Sequence, residues 1–219
     1  MVLFLTMLSG VAWTVVYIDS IRIGFAARTY AMPVAALALN ISWEAIYSLH
    51  GMTTGVSAQA VINVVWTVAD VLIVVTFVRF GRRELPAFVS RGMFVVGSVG
   101  MFGAALAVQL LFIDEFGWDQ GSGYAAFLQN LLMSGLFIAM FIARRGPRGQ
   151  TLLIAVSKWI GTLAPTIAFG AMEHNAFVLG VGLLCSVFDL AYIGLIVWAR
   201  TRPLALTDPV ATAPTPIPA

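Results

Sequence analysis

The chain has 219 residues, 60% hydrophobic and only 10% charged, with a mean hydropathy of +0.95. Soluble domains carry roughly 25% charged residues, so this composition excludes a disordered chain and argues against a soluble enzyme. A net charge of +2 is too small to suggest a nucleic-acid partner. One cysteine, Cys185, excludes an internal disulfide framework, and beside it only His50 and His174 are available, so no Cys/His zinc site can be assembled.

Apolar runs of about 20 residues are long enough to cross a bilayer as helices, and the chain contains seven: 2–18, 32–50, 58–78, 92–113, 123–143, 151–170 and 176–198. The first lacks a basic leader and a small-residue cleavage site, so it reads as a retained helix and not a signal peptide. Pro33 opens the second run, Pro86 precedes the fourth and Pro147 precedes the sixth. The connections are too short for a separate soluble domain. Arg22 and Arg28 fall in the first connection, Arg79, Arg82, Arg83 and Arg91 in the third, and Arg144, Arg145 and Arg148 in the fifth; Arg200 and Arg202 follow the last run. Every arginine therefore falls on one side, and basic loops stay cytoplasmic. The expected fold is an all-α membrane protein, a seven-transmembrane-helix bundle with its N-terminus outside and its C-terminus cytoplasmic. Asp114, Glu115, Asp119 and Glu173 fall on the outer side and read as a solvated cap in preference to a divalent-cation site, with Trp118 as an interfacial anchor. Residues 1–200 form one transmembrane domain. The Pro/Ala/Thr-rich stretch 201–219 cannot bury a core and reads as a disordered tail. Gly97, Gly100 and Gly103 allow, without specifying, self-association.

Four charged residues remain inside the runs: Glu44 in the second, Asp70 in the third, Lys158 in the sixth and Asp189 in the seventh. Each costs about 2.5–3.5 kcal/mol at the centre of a helix, which marks it as functional and facing the bundle interior. At 1.5 Å per residue, Glu44 lies about 18 Å from the cytoplasmic end, Asp189 about 14 Å, and Asp70 and Lys158 about 12 Å each. The shared level predicts an Asp70–Lys158 ion pair. Glu44 and Asp189 then have no cation at their depth, and at least one of them should keep its proton in an apolar interior.

Helical spacing supplies neighbours. Asn40, Glu44 and Tyr47 share a face of the second run, Asn63, Trp66 and Asp70 a face of the third, and Cys185, Asp189 and Tyr192 a face of the seventh. In the fifth, Gln129 and Asn130 sit above Ser134. The polar members serve either as interhelical glue or as part of a site with Lys158. Trp43, Trp66, Tyr47 and Tyr192 serve either as packing or as aromatic lining. Acids and aromatics at one depth predict an apolar cavity that could protonate a lipophilic substrate and stabilise the cation through aromatic faces while excluding water. Polyene cyclisation meets those requirements. No DDxxD-type cluster for magnesium is present, so protonation is the expected trigger, with no metal and no cofactor.

The run Asn40-Ile41-Ser42-Trp43-Glu44 resembles the N-x-x-W-E signature of the small integral-membrane terpene cyclases. The segments Trp66–Asp70, Lys158-Trp159-Ile160-Gly161-Thr162 and Phe188-Asp189-Leu190-Ala191-Tyr192 extend that resemblance over all but the tail. Fungal members act in meroterpenoid and indole-diterpene pathways, and bacterial relatives of the drimentine type act on farnesylated indole diketopiperazines. The resemblance implies that Glu44 and Asp189 are the two essential acids and that the terminal alkene or epoxide of a prenylated substrate is protonated. The shortness of the chain favours the alkene and a bacterial plasma membrane. Asn40 would orient Glu44; Trp43, Tyr47, Asn63, Trp66, Asp70, Asn130, Lys158 and Tyr192 would line or support the cavity. Two other readings share these residues: a proton-coupled transporter, which also keeps acids near mid-membrane, and, less well, a retinal protein with Lys158 in the wrong helix.

Overall fold

A computed structural model describes residues 1–55 and 58–201; beyond Thr201, the tail expected over 201–219 lies outside the described residues, as does Arg202. The regular elements among the described residues are all helical: α1 (Val2–Ala26), α2 (Val34–Thr54), α3 (Ala58–Phe80), a 3-10 turn (Gly81–Glu84), α4 (Arg91–Ala143), α5 (Leu152–Pro165), a π-helical continuation (Thr166–Met172) and α6 (Ala176–Thr201). Among the described residues, five segments are long and apolar enough to cross a membrane: Val2–Ala26, Ala60–Glu84, Arg91–Ala143, Leu152–Met172 and Ala176–Thr201. The polar residues Asn40, Ser42, Glu44, Ser48 and His50 dilute the hydropathy of α2, which is nonetheless 21 residues long and buries its polar face.

The 53 residues of α4 would span about 80 Å as a straight helix, but the helix breaks at Gly117 (φ 72°, ψ 178°), a conformation open essentially to glycine alone. The chain doubles back there. The Gln109 side-chain amide reaches the Gln129 side-chain carbonyl at 2.7 Å, although 20 residues of straight helix would separate them by about 30 Å. The Phe116 and Tyr124 rings meet with centroids 5.4 Å apart across the turn. Gly121 packs so closely that a Cβ there would lie 2.7 Å from the Phe112 carbonyl oxygen. The halves 91–116 and 118–143 therefore run antiparallel, in place of two helices joined by the acidic loop expected over 114–122.

A second difference lies in α1, which continues past residue 18 to Ala26 and carries Asp19 and Arg22 on the helix as an ion pair of 2.6 Å. Arg22 thus belongs to α1 and not to the first connection. Asp19 is buried because Thr151, the N-cap of α5, also bonds to its carboxylate. At the same end of the bundle, Glu84 accepts from Thr29 at 2.9 Å and pairs with Arg148 at 3.4 Å and Arg144 at 3.7 Å. The Arg144 guanidinium also donates to the Tyr30 carbonyl and lies 4.3 Å from the Tyr30 ring centroid. The connections after α1, α3 and α4 are thereby tied into one basic end. The main core sits between α1, α2, α3, the second half of α4, α5 and α6, with Val16, Leu37, Ile73, Phe137, Ile154, Tyr192 and Ile196 buried. In lipid such packing rests on close fit more than on water exclusion.

Candidate active site

Apart from Asp19 and the Glu84 contacts at the basic end, the buried charged side chains among the described residues fall into two groups on different helices. The first is built on α2, where Asn40 and Glu44 are one turn apart on the face turned inward. The Asn40 amide nitrogen donates to the hydroxyl of Tyr17 of α1 at 2.6 Å and to Asp70 Oδ2 of α3 at 2.9 Å, and lies 3.1 Å from Glu44 Oε1. The Tyr17 hydroxyl in turn donates to Glu44 Oε1. Tyr17, Asn40, Glu44 and Asp70 are all buried. Glu44 Oε2 and Asp70 Oδ1 accept from no other side chain, and the two carboxyls share a hydrogen bond with each other. Among the described residues, neither carboxyl forms an ion pair.

A chain of amides sets the direction of Asn40. Gln109 in the first half of α4 donates to the Leu39 carbonyl at 3.2 Å and to Gln129 Oε1 at 2.7 Å. Gln129, in the returning half, donates to Asn40 Oδ1 at 3.3 Å. With its carbonyl so occupied, Asn40 presents its NH2 group to the two carboxyls. The hairpin at Gly117 thus positions a donor next to the acids of α2 and α3.

The second group joins Lys158 of α5, Asp189 of α6 and Ser134 of the returning half of α4. Lys158 Nζ lies 2.8 and 3.0 Å from the two Asp189 oxygens and 2.7 Å from Ser134 Oγ, and Lys158 and Asp189 are completely buried. Asn130 donates to Thr162 at 2.7 Å, one turn along α5 from Lys158. The expected Asp70–Lys158 pair is therefore corrected: Lys158 neutralises Asp189, and Asp70 joins Glu44. Equal depth does not decide the pairing, because α5 packs against α1 and α6 whereas α3 packs against α1 and α2, so the two side chains face different neighbours. Asp189 consequently has a counter-ion, and the uncompensated carboxyls are Glu44 and Asp70.

The aromatic candidates divide in the same way. Trp66 donates to Thr14 at 3.2 Å, and its ring lies 5.9 Å from Tyr17, which places it against the acid cluster. Trp43 donates to the Ser122 carbonyl at 3.0 Å and packs 4.9 Å from Tyr47. Tyr47 meets Trp118 edge-on, and Trp118 stacks on His50 at 3.8 Å. These four rings form a layer at the end of the bundle opposite the arginines. Tyr192 is fully buried, stacked on Phe137 at 5.1 Å beside Asp189. Asn63 is buried two turns from Asp70, its backbone carbonyl accepting from Thr67. Two apolar grooves, of about 330 and 480 Å³, lie on the outer surface, lined respectively by Ile41, Val71, Val74, Val75, Val78, Arg79 and Phe102, and by Leu128, Leu131, Leu132, Gly135, Leu136, Leu184 and Phe188. Neither is lined by a residue of the two charged groups.

Tyr17 and Gln109 are the members of the first group that the sequence reading missed. Tyr17 stands in a run with no acid before residue 19, and only its one-turn spacing from Trp13 hinted at an inward face. Gln109 stood alone in an apolar run, and its role depends on a chain reversal that spacing does not encode.

No solved structure matches the chain. Among curated proteins it is similar to terpene cyclase macJ of Penicillium terrestre, at 30% identity over 75% of this chain and 64% of that protein. It is similar to the Pyr4-family terpene cyclase mfmH of Annulohypoxylon moriforme, at 28% over 74% and 66%, and to terpene cyclase pyr4 of Aspergillus fumigatus, at 24% over 84% and 80%. The chain thus spans just under two thirds of the length of the first two and four fifths of the third. These relatives are fungal, so they lend no support to a bacterial plasma membrane as the location. The apolar helices and these relatives make the protein an integral membrane protein. The model of the Pyr4-like transmembrane terpene cyclases matches residues 1–200, and the chain belongs to that family.

Proposed function

We propose that this chain is a membrane-bound terpene cyclase that starts the reaction by protonating the terminal alkene or epoxide of a prenylated, farnesyl-type substrate, with the Glu44–Asp70 group as the acid. The observation that carries this reading is a pair of buried carboxyls sharing one amide donor and no cation. Two adjacent carboxylates do not both ionise in an apolar interior, so a proton stays in the group. With an alkene, the Glu44 O–H bond breaks, the π-electron pair forms a new C–H bond at the chain end, and the O–H electrons remain on the carboxylate. With an epoxide, the proton goes to the ring oxygen and the C–O bond opens. Ring closures then move the cation along the chain, and loss of a C–H proton to a carboxylate forms the final alkene and restores the acid. Trp66, beside the acid group, is the aromatic face best situated for a developing cation.

The Lys158–Asp189 pair is neutral as a unit and, with Ser134, ties α4, α5 and α6 together. This reading assigns proton donation to Glu44 and not to Asp189, both of whose oxygens are engaged by the ammonium. The bundle is proposed to cross the membrane seven times, with α4 counted twice because of the Gly117 reversal, the arginine-rich end cytoplasmic and the N-terminus outside. Cysteines introduced at Ser122 and Arg145 should then react with impermeant maleimide from opposite faces of sealed membranes.

The deciding experiment supplies membranes bearing the chain with farnesylated indoles, with and without a terminal epoxide, and looks for products of unchanged mass. Cyclised isobaric products that disappear with Glu44→Gln support the proposal. Products that persist in that variant overturn the assignment of the acid, and recovery of every substrate unchanged by the wild type overturns this choice of substrate.

A further inference from the structure

Resting on the reading of Glu44 as the acid, we infer that Tyr17 is a positioning residue that dictates which Glu44 oxygen carries the transferable proton. Asn40 directs its NH2 toward the Tyr17 oxygen at 2.6 Å, because Gln129 occupies the Asn40 carbonyl. Tyr17 accepts from Asn40, so its single O–H is free to donate, and it does so to Glu44 Oε1. Oε1 also lies 3.1 Å from the Asn40 nitrogen. An oxygen receiving donors of this kind is the carbonyl oxygen of a carboxylic acid. The acidic hydrogen therefore resides on Oε2, which no other side chain occupies, and leaves for a substrate carbon or oxygen from a Glu44–Asp70 pair whose carboxyls share a hydrogen bond.

The same arrangement serves the moment after transfer. When the O–H electrons stay behind on Glu44, the Tyr17 hydroxyl is already aimed at the carboxylate, and a donor fixed in advance on a developing charge needs no reorganisation. The ring is held independently of the hydroxyl, 6.5 Å from Trp13 and 5.9 Å from Trp66, so removing the oxygen leaves the packing in place.

The test needs no substrate for its first arm. Infrared difference spectra of the purified full chain, taken between wild type and Glu44→Gln, isolate the Glu44 acid carbonyl band. Tyr17→Phe should move that band to higher wavenumber by removing a donor from Oε1. Site-specific 3,5-difluorotyrosine at position 17, a more acidic phenol of nearly the same shape, should move it lower and remains informative if the phenylalanine variant folds poorly. A band that stays put in both variants, or no acid band at all, overturns the inference. In membranes fed a farnesylated indole, Tyr17→Phe should lower kcat about 10- to 100-fold, the range for losing a hydrogen bond to a charged group, with KM within threefold. Unchanged kcat overturns the positioning role while leaving the loss of turnover in Glu44→Gln intact, so the two readings fail separately.

Discussion

The acid cluster of α1, α2 and α3 and the ion pair of α5 and α6 are buried to the same degree, yet they balance charge in opposite ways. Lys158 and Asp189 cancel each other, and Ser134 satisfies a further hydrogen of the ammonium. Glu44 and Asp70 have no cation and are held by an amide and a phenol, with one oxygen of each accepting from no side chain outside the pair. A buried group of the first kind is a structural joint whose halves depend on each other. A group of the second kind is a poor joint and a good reservoir for a proton. If this division is right, the two halves of the bundle should separate activity from stability when mutated.

The widest separation is expected at Glu44. Glu44→Gln keeps the shape and an acceptor for Tyr17 but removes the proton, so turnover should fall by ~10²–10⁴-fold, the usual weight of a positioned acid. Thermal unfolding in detergent should be almost unchanged. Loss of both together would mean that the acid cluster is a joint after all. At the other group, Lys158→Met leaves Asp189 buried without a partner and should cost about 3–5 kcal/mol, as should Asp189→Asn, which strands the ammonium. Both should lower conversion through loss of fold. The double variant Lys158→Met/Asp189→Leu removes both charges and should recover most of the stability. If it is stable yet inactive, Asp189 acts on substrate, and the contrast between the groups collapses.

Asp70 sharpens the comparison within the first cluster. Asp70→Asn keeps an oxygen for Asn40 but removes the second carboxyl, so the cluster no longer contains two acids competing to ionise. Stability should hold or rise slightly, and kcat should fall about 10- to 100-fold if Asp70 shares or returns the proton. A variant with full activity would reduce Asp70 to a spacer. The hairpin follows in size: Gly117→Ala forces a side chain into a backbone region reserved for glycine and should cost ~1–3 kcal/mol, measured by unfolding. It should also disturb the acid cluster, because the Gln109–Gln129 contact depends on that reversal.

These contrasts also explain what could be read in advance. The helical class, the apolar spans and the segregation of arginines follow from hydropathy and charge, which are properties of segments. The inward face of α2 was legible because Asn40 and Glu44 lie on the same helix, where one-turn spacing dictates contact. The partner of Lys158 was not, because depth along an axis is written in the sequence but the angle at which each helix faces its neighbours is set by packing. Asp70 and Asp189 were exchanged for that reason. Tyr17 was hidden similarly, since a tyrosine in an apolar run serves as well for packing as for donating to an acid. Gly117 stood at the middle of an expected loop, where a positive φ would excite no notice, and contacts across the turn such as that between Gln109 and Gln129 reveal that it folds one long helix back on itself.

The smallest expected effect lies farthest from the acids, at Gln109. This residue donates to the Leu39 carbonyl and to Gln129, while its own side-chain oxygen is buried with no partner. Gln109→Leu therefore removes two donors' worth of contact and one unsatisfied acceptor together, and stability should change by no more than ~1 kcal/mol. Activity should be more sensitive. Without Gln109, the Gln129 carbonyl loses its donor, and nothing then prevents Gln129 from turning its amide over and presenting oxygen to Asn40. Asn40 would follow, offering its carbonyl to two carboxyls that need a donor. Gln129→Leu should produce the same loss of rate more directly, and combining the two should add little, because both act through the orientation of one amide. Fully additive losses in the double variant would mean that Gln109 and Gln129 support the acids by separate routes and not through one amide relay.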